Sequence, residues 1–226
     1  MIIINQQDYW GAIRKRRKPQ DEVIQRFVQP KIDYIKTVIA SEGGNLADCT
    51  LLDVGSGNGF FSYYFEKICD VTCLDFSEFM LSINPCKKKV LGSASEISFV
   101  DDSFDIVFCS NLLHHVSNPQ LVVAEMKRVS KKYIVVSEPN GSNPIMMFFG
   151  MMKREERITL KYTMEYLKNI LKENSLTIIS SATMGSVTPN KTPSFLLPIL
   201  TRVNIGLYNI VITVKNTEVR LSENRI

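Results

Sequence analysis

The chain has 226 residues, 45% hydrophobic and 22% charged, with a net charge of +4. This is ordinary globular composition, enough for one larger domain, and too weakly basic to mark a nucleic-acid binder on charge alone. No apolar run approaches the roughly 18 residues that span a bilayer, and the opening MIII is too short for the core of a signal peptide.

Five cysteines, Cys49, Cys69, Cys73, Cys86 and Cys109, are odd in number and form no CxxC pair. That usage points to free thiols in a reducing cytoplasm and to no metal centre. The first 20 residues are polar and carry the basic run RKRRK, Arg14 to Lys18. From Asp21 to Ser41 apolar residues recur at helical spacing, and Pro30 is expected to kink or divide that helix. Residues 1–45 thus read as an N-terminal helical cap or arm on a single domain.

Short strands and helices then alternate. TLLDV is a strand, Asn58 to Ile68 a helix, VTCLD a second strand, and Ser77 to Ile83 a short helix opened by a good cap residue. KKVL is a third strand and FDIVFCS, Phe104 to Ser110, a fourth. Pro119 to Val129 is a helix with Pro in its first turn and Lys127 and Arg128 in its last. YIVVSE, a helix over Thr163 to Glu173, LTIIS and YNIVITVKN complete the series. Strands separated by single helices mean βαβ units. The fold class predicted is α/β: a doubly wound, Rossmann-like sheet of about seven strands, mostly parallel with an antiparallel last strand, and helices on both faces. Residues 139–162 and 185–203 are apolar, broken by Pro or Gly, and fit no regular element. Their place beside the carboxyl ends of strands makes each a candidate lid over a site.

The most pointed stretch is LLDVGSGNGF, with Gly55, Gly57 and Gly59 at alternate positions straight after a strand. A glycine costs roughly 0.5–1 kcal/mol against alanine inside an element, so three in five residues imply a close approach to backbone. The dinucleotide fingerprint needs G-x-G-x-x-G, but Phe60 stands where its third glycine belongs, and no Gly-Lys-Ser/Thr follows to make a phosphate loop. The pattern suits a nucleoside without phosphate. Asp75 closes the second strand, 18 residues past Gly57, where a carboxylate can accept two hydrogen bonds from ribose hydroxyls at about 1.5–3 kcal/mol each. The alternatives are a tight turn for the glycines and a helix cap for Asp75.

Taken together, LLDVGSGNGFFS, VTCLDFSEFML, GSASEISFVDDSFDIVFCSNLLHHV and LVVAEMKRVSKKYIVVSEPN resemble the class I S-adenosylmethionine-dependent methyltransferases, nearest to the methyltransferase type 11 group. The resemblance is close over roughly residues 48 to 140. It implies that Asp53 orders the cofactor's methionine end, and that Gly55, Ser56 and Gly57 lie against its methionine and ribose. Asp75 would hold the ribose hydroxyls with Phe76 beside the adenine. The family's Gly-Asp-Ala-Glu stands here as Gly92-Ser93-Ala94-Ser95, so Ser93, with Ala94, replaces the aspartate that accepts from the adenine amino group. Asn111 would border the sulfonium and methyl group.

Methyl transfer is an in-line displacement that needs a base only if the nucleophile must lose a proton. His114 and His115, the chain's two histidines, follow the fourth strand beside the expected methyl position. His115 is the first choice for a base and His114 the second; the alternative is that both are structural. Glu138 either faces the acceptor or caps a turn. SNLLHH stands where the Asn/Asp-Pro-Pro-Tyr/Phe motif of amino-methyltransferases of DNA bases and protein glutamine would be.

The acceptor expected is a small or lipid-like molecule, methylated on oxygen, nitrogen or carbon, because both candidate lids are rich in Met, Phe and Leu. A core or dimer contact is the alternative for those residues, so the chain is read as a monomer or homodimer. The basic run raises RNA as a rival acceptor, unless Tyr9 and Trp10 beside it belong to a cofactor lid. A non-catalytic binding protein on the same fold is the third reading.

Overall fold

The computed structural model describes residues 17–152 and 154–215. Tyr9, Trp10 and the first three residues of the basic run lie outside them. Seven strands, β1 (Thr50–Val54), β2 (Asp70–Asp75), β3 (Lys88–Leu91), β4 (Phe104–Ser110), β5 (Ser130–Pro139), β6 (Leu176–Met184) and β7 (Tyr208–Lys215), form one sheet of order β3-β2-β1-β4-β5-β7-β6. β1 to β5 are parallel, and β7 runs antiparallel between β5 and β6. The helices are α1 (Glu22–Ser41), α2 (Ser62–Phe65), α3 (Glu78–Ile83), α4 (Pro119–Val129), α5 (Pro144–Met152), α6 (Met164–Glu173) and α7 (Leu197–Leu200).

Successive strand residues point to opposite faces, and both faces are covered. Leu51, Ile106, Phe108, Tyr133, Val135, Ile210 and Ile212 join the buried side chains of α1 and α2 in one core. Leu52, Val54, Val107, Cys109, Ile134, Val136 and Val211 join those of α4 and α6 in the other. The doubly wound sheet expected from the sequence is the observed fold. Burial on both faces explains why the central strands read as continuous apolar runs.

Three expectations are corrected. The helix expected from Asn58 to Ile68 is reduced to α2, because Gly59 at φ +85° cannot continue a right-handed helix. Residues 139–162 and 185–203 are not irregular: the first holds α5 and a 3₁₀ stretch over Arg154–Lys161, the second a 3₁₀ turn at Ser194–Leu196 and α7. Pro144, Pro193 and Pro198 sit at or just before helix starts, where the missing N–H costs nothing. Finally, Pro30 lies inside a continuous α1. The helix is pinned along its length by Val23, Ile24, Phe27, Val28, Ile32, Ile35 and Ile39, all buried. At about 1.5–3 kcal/mol per buried side chain, this packing outweighs the roughly 3 kcal/mol a mid-helix proline costs.

One turn of α1 carries a further cost. Lys31 is 1% exposed, and its Nζ donates to the Phe27 carbonyl at 2.8 Å. The nitrogen lies 3.7 Å from the Phe27 ring centre and 4.4 Å from that of Tyr208. Among the described residues no carboxylate pairs with it. Ring contacts are worth up to about 2 kcal/mol, whereas burying an unpaired ammonium costs several, so burial drives its pKa well below the ordinary lysine value. In the fold the amine is therefore neutral over a range where the unfolded chain binds a proton, and stability rises with pH up to about 10.4, lysine's ordinary value. Lys31→Met is expected to raise the unfolding midpoint at pH 7, by an amount that shrinks as the pH approaches 10. A variant no more stable than the parent at pH 7 would show that the aromatic contacts outweigh the burial.

Candidate active site

The carboxyl ends of β1, β2, β4 and β5 lie on one edge, where the chain leaves β1 toward α2 and β4 toward α4 on opposite faces. A crevice at such a switch point is where open α/β sheets bind ligands. A cavity of about 470 Å³ opens there, within the range of small-molecule sites. Eleven residues singled out in the sequence line it: Asp53, Gly55, Ser56, Gly57, Asp75, Phe76, Ser93, Ala94, Asn111, His114 and His115; Gly59 and Glu138 do not.

The glycine loop is built against β2. The amides of Gly55 and Ser56 both donate to the Leu74 carbonyl at 2.8 and 3.0 Å. Gly57 has φ +52°, and a Cβ there would meet nothing within 4 Å. Its constraint is backbone geometry, and its face toward the cavity is open. Gly59 is excluded from substitution by contact, since a Cβ would lie 2.5 Å from Asn84 Oδ1. Asn84 in turn donates to the Gly57 carbonyl at 3.1 Å. The Ser56 hydroxyl is buried with no hydrogen-bond partner among the described residues.

Asp75 does two jobs in the chain itself. Oδ2 accepts from the Gly57 amide and Oδ1 from the Ser77 amide, each at 2.8 Å. It clamps the glycine loop and starts α3, whose cap is Ser77. Ser93 Oγ accepts from the Ser95 amide at 3.2 Å, an exposed turn on the cavity rim. Asn111, at φ +52°, takes the left-handed conformation that asparagine tolerates better than most residues.

Asp53 is 3% exposed, and its Oδ2 accepts from the Ser62 hydroxyl on α2. Burial pushes its pKa up to about 7; the Asp75 charge adds to the shift, and the Ser62 bond opposes it. Such a carboxylate gains from a cation placed beside it. A buried acid, a hydroxyl with no partner among the described residues, an open glycine face and a second carboxylate at the end of β2 fit a nucleoside bearing a cationic amino-acid tail.

The histidines sit on a 3₁₀ turn over Leu113–His115. His114 is buried, with Nδ1 2.5 Å from Glu138 Oε2; the His115 ring lies against it, tilted by 43°, with ring centres 3.9 Å apart. Glu138 is fully buried, so it neither faces solvent nor lines the cavity.

Phe27, Phe61 and Tyr208, which no motif marked, join Met146 and Pro139 as apolar wall residues; Met146, Pro139 and Thr188 to Lys191 come from the two segments read as candidate lids. Phe27, Phe61 and Tyr208 come from distant segments, and their ring contacts (centroids 5.0–5.5 Å apart) are long-range. Arg17 ties this wall together: it pairs with Asp21 at 3.0 Å, donates to the Thr192 carbonyl at 2.8 Å, and its own carbonyl accepts from Asn58 at 3.0 Å. This part of the basic run is thus committed within the chain. Among the described residues no metal-binding cluster is present and no helix is long and apolar enough to cross a membrane.

Residues 52–134 match the family model for a methyltransferase domain. A demethylmenaquinone methyltransferase of Renibacterium salmoninarum is 33% identical over 133 residues, covering 50% of this chain and 56% of that protein. The chain spans about half the length of the curated relatives it matches. An S-adenosylmethionine-dependent methyltransferase structure from Thermotoga maritima superposes with a TM-score of 0.63 at 17% identity, over 85% of this chain and 92% of that one. Magnesium protoporphyrin IX methyltransferase of Synechocystis, solved with S-adenosylhomocysteine, gives 0.56 at 14% identity, over 83% of each chain. At these identities the structural likeness is one of fold.

The raised Asp53 pKa has a stability signature. Between about pH 4 and 7 the unfolded chain has released this proton while the fold retains it, so stability falls as pH rises through that window and levels off above 7. Asp53→Asn is expected to be more stable than the parent by several degrees at pH 8 and equal to it near pH 4, in thermal melts of the ligand-free protein. A parent that is more stable than the variant at pH 8 would mean that the buried carboxylate is satisfied without a cation.

Proposed function

We propose, for a chain that carries a class I S-adenosylmethionine-dependent methyltransferase domain, that it transfers a methyl group to a small, apolar, lipid-like acceptor. The observation that carries the reading is the convergence of Asp53, the Gly55–Gly57 backbone, Asp75 and Asn111 on one cavity whose far end is apolar. When bound, S-adenosylmethionine supplies a methyl group activated on a sulfonium. The chain supplies position: Asp53 faces the ammonium end, Asp75 the ribose hydroxyls, Phe76 and Ala94 flank the adenine, and Asn111 borders the reacting centre. Holding two reactants in line and dry is worth about 7–11 kcal/mol. A histidine at the same centre takes the proton of an acceptor that has one to lose.

The acceptor end supports an apolar molecule. Met146 enters the cavity from α5 while Met147, Phe148, Met151 and Met152 on the same helix are exposed, as are Phe195, Ile199 and Val203. We read α5 and the loop at Thr188 to Lys191 as covers over that end. A demethylmenaquinone methyltransferase among the relatives is in keeping with this reading.

Calorimetric titration is expected to show micromolar binding of S-adenosylmethionine and S-adenosylhomocysteine and none of NAD. Asp75→Ala should lose at least tenfold in that affinity, about 1.4 kcal/mol; unchanged affinity in a folded variant would remove Asp75 from the ribose site. Methylation of an apolar acceptor should be insensitive to salt between about 50 and 200 mM, whereas an RNA acceptor held by phosphate contacts would lose orders of magnitude in affinity over that range.

A further inference from the structure

Glu138 ends an apolar strand. Its neighbours Val135 and Ser137 point to the α1 face of the sheet, whereas Ile134, Val136 and Glu138 point to the other. A carboxylate with no exposed surface demands strong partners, and this one has three donors. Oε1 accepts from the amides of Leu112 and Leu113 at 2.9 and 2.8 Å, and Oε2 meets His114 Nδ1 at 2.5 Å. The turn is braced from the opposite side by Tyr162, whose hydroxyl donates to the Leu113 carbonyl at 2.5 Å and whose ring meets His114 edge-on at 6.0 Å. The titratable groups around Glu138 are His114, Tyr162 and Cys109; burial raises the pKa of both the phenol and the thiol. Both are therefore neutral, and no Lys or Arg among the described residues pairs with Glu138.

We propose that Glu138 is a positioning residue: it fixes His114 as the Nδ1–H tautomer, so that Nε2 is the unprotonated nitrogen of a ring that lines the cavity, and that His114 is the proton acceptor. The purpose of this arrangement rests on the methyl-transfer reading. In that reaction the acceptor's X–H bond breaks with its proton passing to His114 Nε2, the X electron pair bonds the methyl carbon, and the S–C pair stays with sulfur. Glu138 then faces the imidazolium that forms, as carboxylates do in other His-based sites.

The geometry makes an unusual demand on Glu138→Gln. The Leu112 and Leu113 amides need an acceptor, so the glutamine oxygen must stay with them. Its NH₂ then faces His114 Nδ1 and forces that nitrogen to accept. The ring must switch to the Nε2–H tautomer, which turns the proton acceptor into a donor. With only two histidines in the chain, long-range ¹H–¹⁵N spectra of ligand-free protein at pH 8 resolve each ring, and His114→Phe assigns them. The parent is expected to show His114 as Nδ1–H and Glu138→Gln to show it as Nε2–H. An Nε2–H tautomer in the parent, or an unchanged tautomer in a folded Glu138→Gln, overturns the proposal; if Glu138→Gln fails to fold, the parent spectrum alone decides. Calorimetry with S-adenosylmethionine separates this from the underlying reading. Loss of binding in the parent would defeat methyl transfer while leaving the tautomer result intact. Glu138→Gln is expected to bind the cofactor within twofold of the parent.

Discussion

The pairing of β1 with β4 is the constraint on which the rest depends. Placed side by side and parallel, with Leu51 opposite Ile106 and Val54 opposite Cys109, the two strands end together. Their chains must then leave for opposite faces, and the gap between the departures cannot be filled by either helix. Everything at the site is an answer to that gap. The glycine loop turns across the end of β2, Asp75 anchors it, and the turn at Leu113–His115 covers the end of β4 from the other side. A side chain on the β1–β4 seam is in reach of both loops at once, which is why Asp53 can be buried under one and Asn111 can border the other.

Burial of carboxylates is the recurring physical theme, and the three cases are resolved differently. Asp75 accepts from two backbone amides, one on each oxygen. Glu138 is satisfied by two amides and an imidazole. Asp53 has a single hydroxyl and is left short. The first two are built to hold a shape. In the third, burial pushes the pKa up to about 7.

The central strands were legible because each is buried on both faces; an apolar run of that kind has few other uses, and TLLDV and FDIVFCS match β1 and β4 residue for residue. The glycine spacing and the acid after β2 were legible because close backbone approach and ribose recognition restrict residue type severely. What escaped was whatever depends on partners far along the chain. Pro30 looked like a break because local propensity says so, and only packing of α1 on the sheet overrides it. Lys31 sits on the apolar stripe of that helix, a signal that periodicity treats as noise. The apolar wall formed by Phe27, Met146 and Tyr208 joins three segments with no motif between them. Glu138 gave one usable clue, its place at the carboxyl end of an otherwise apolar strand, but not which side of the turn it would hold. The segments at 139–162 and 185–203 misled because their prolines read as breakers, when most of them stand at helix starts.

Asp53 also sets how the site communicates with solvent. A carboxyl group poised near 7 is about half neutral in neutral solution, so any ligand that brings positive charge against it must expel a fraction of a proton as it enters. Occupancy and hydrogen-ion activity are then thermodynamically exchangeable. The heat of association would vary with the ionisation enthalpy of the buffer that takes up the released proton. Below neutrality the affinity for such a ligand would fall by up to about tenfold for each unit of pH. Acidification would weaken such binding without any change in ligand supply, because protons compete for the same buried oxygen atoms.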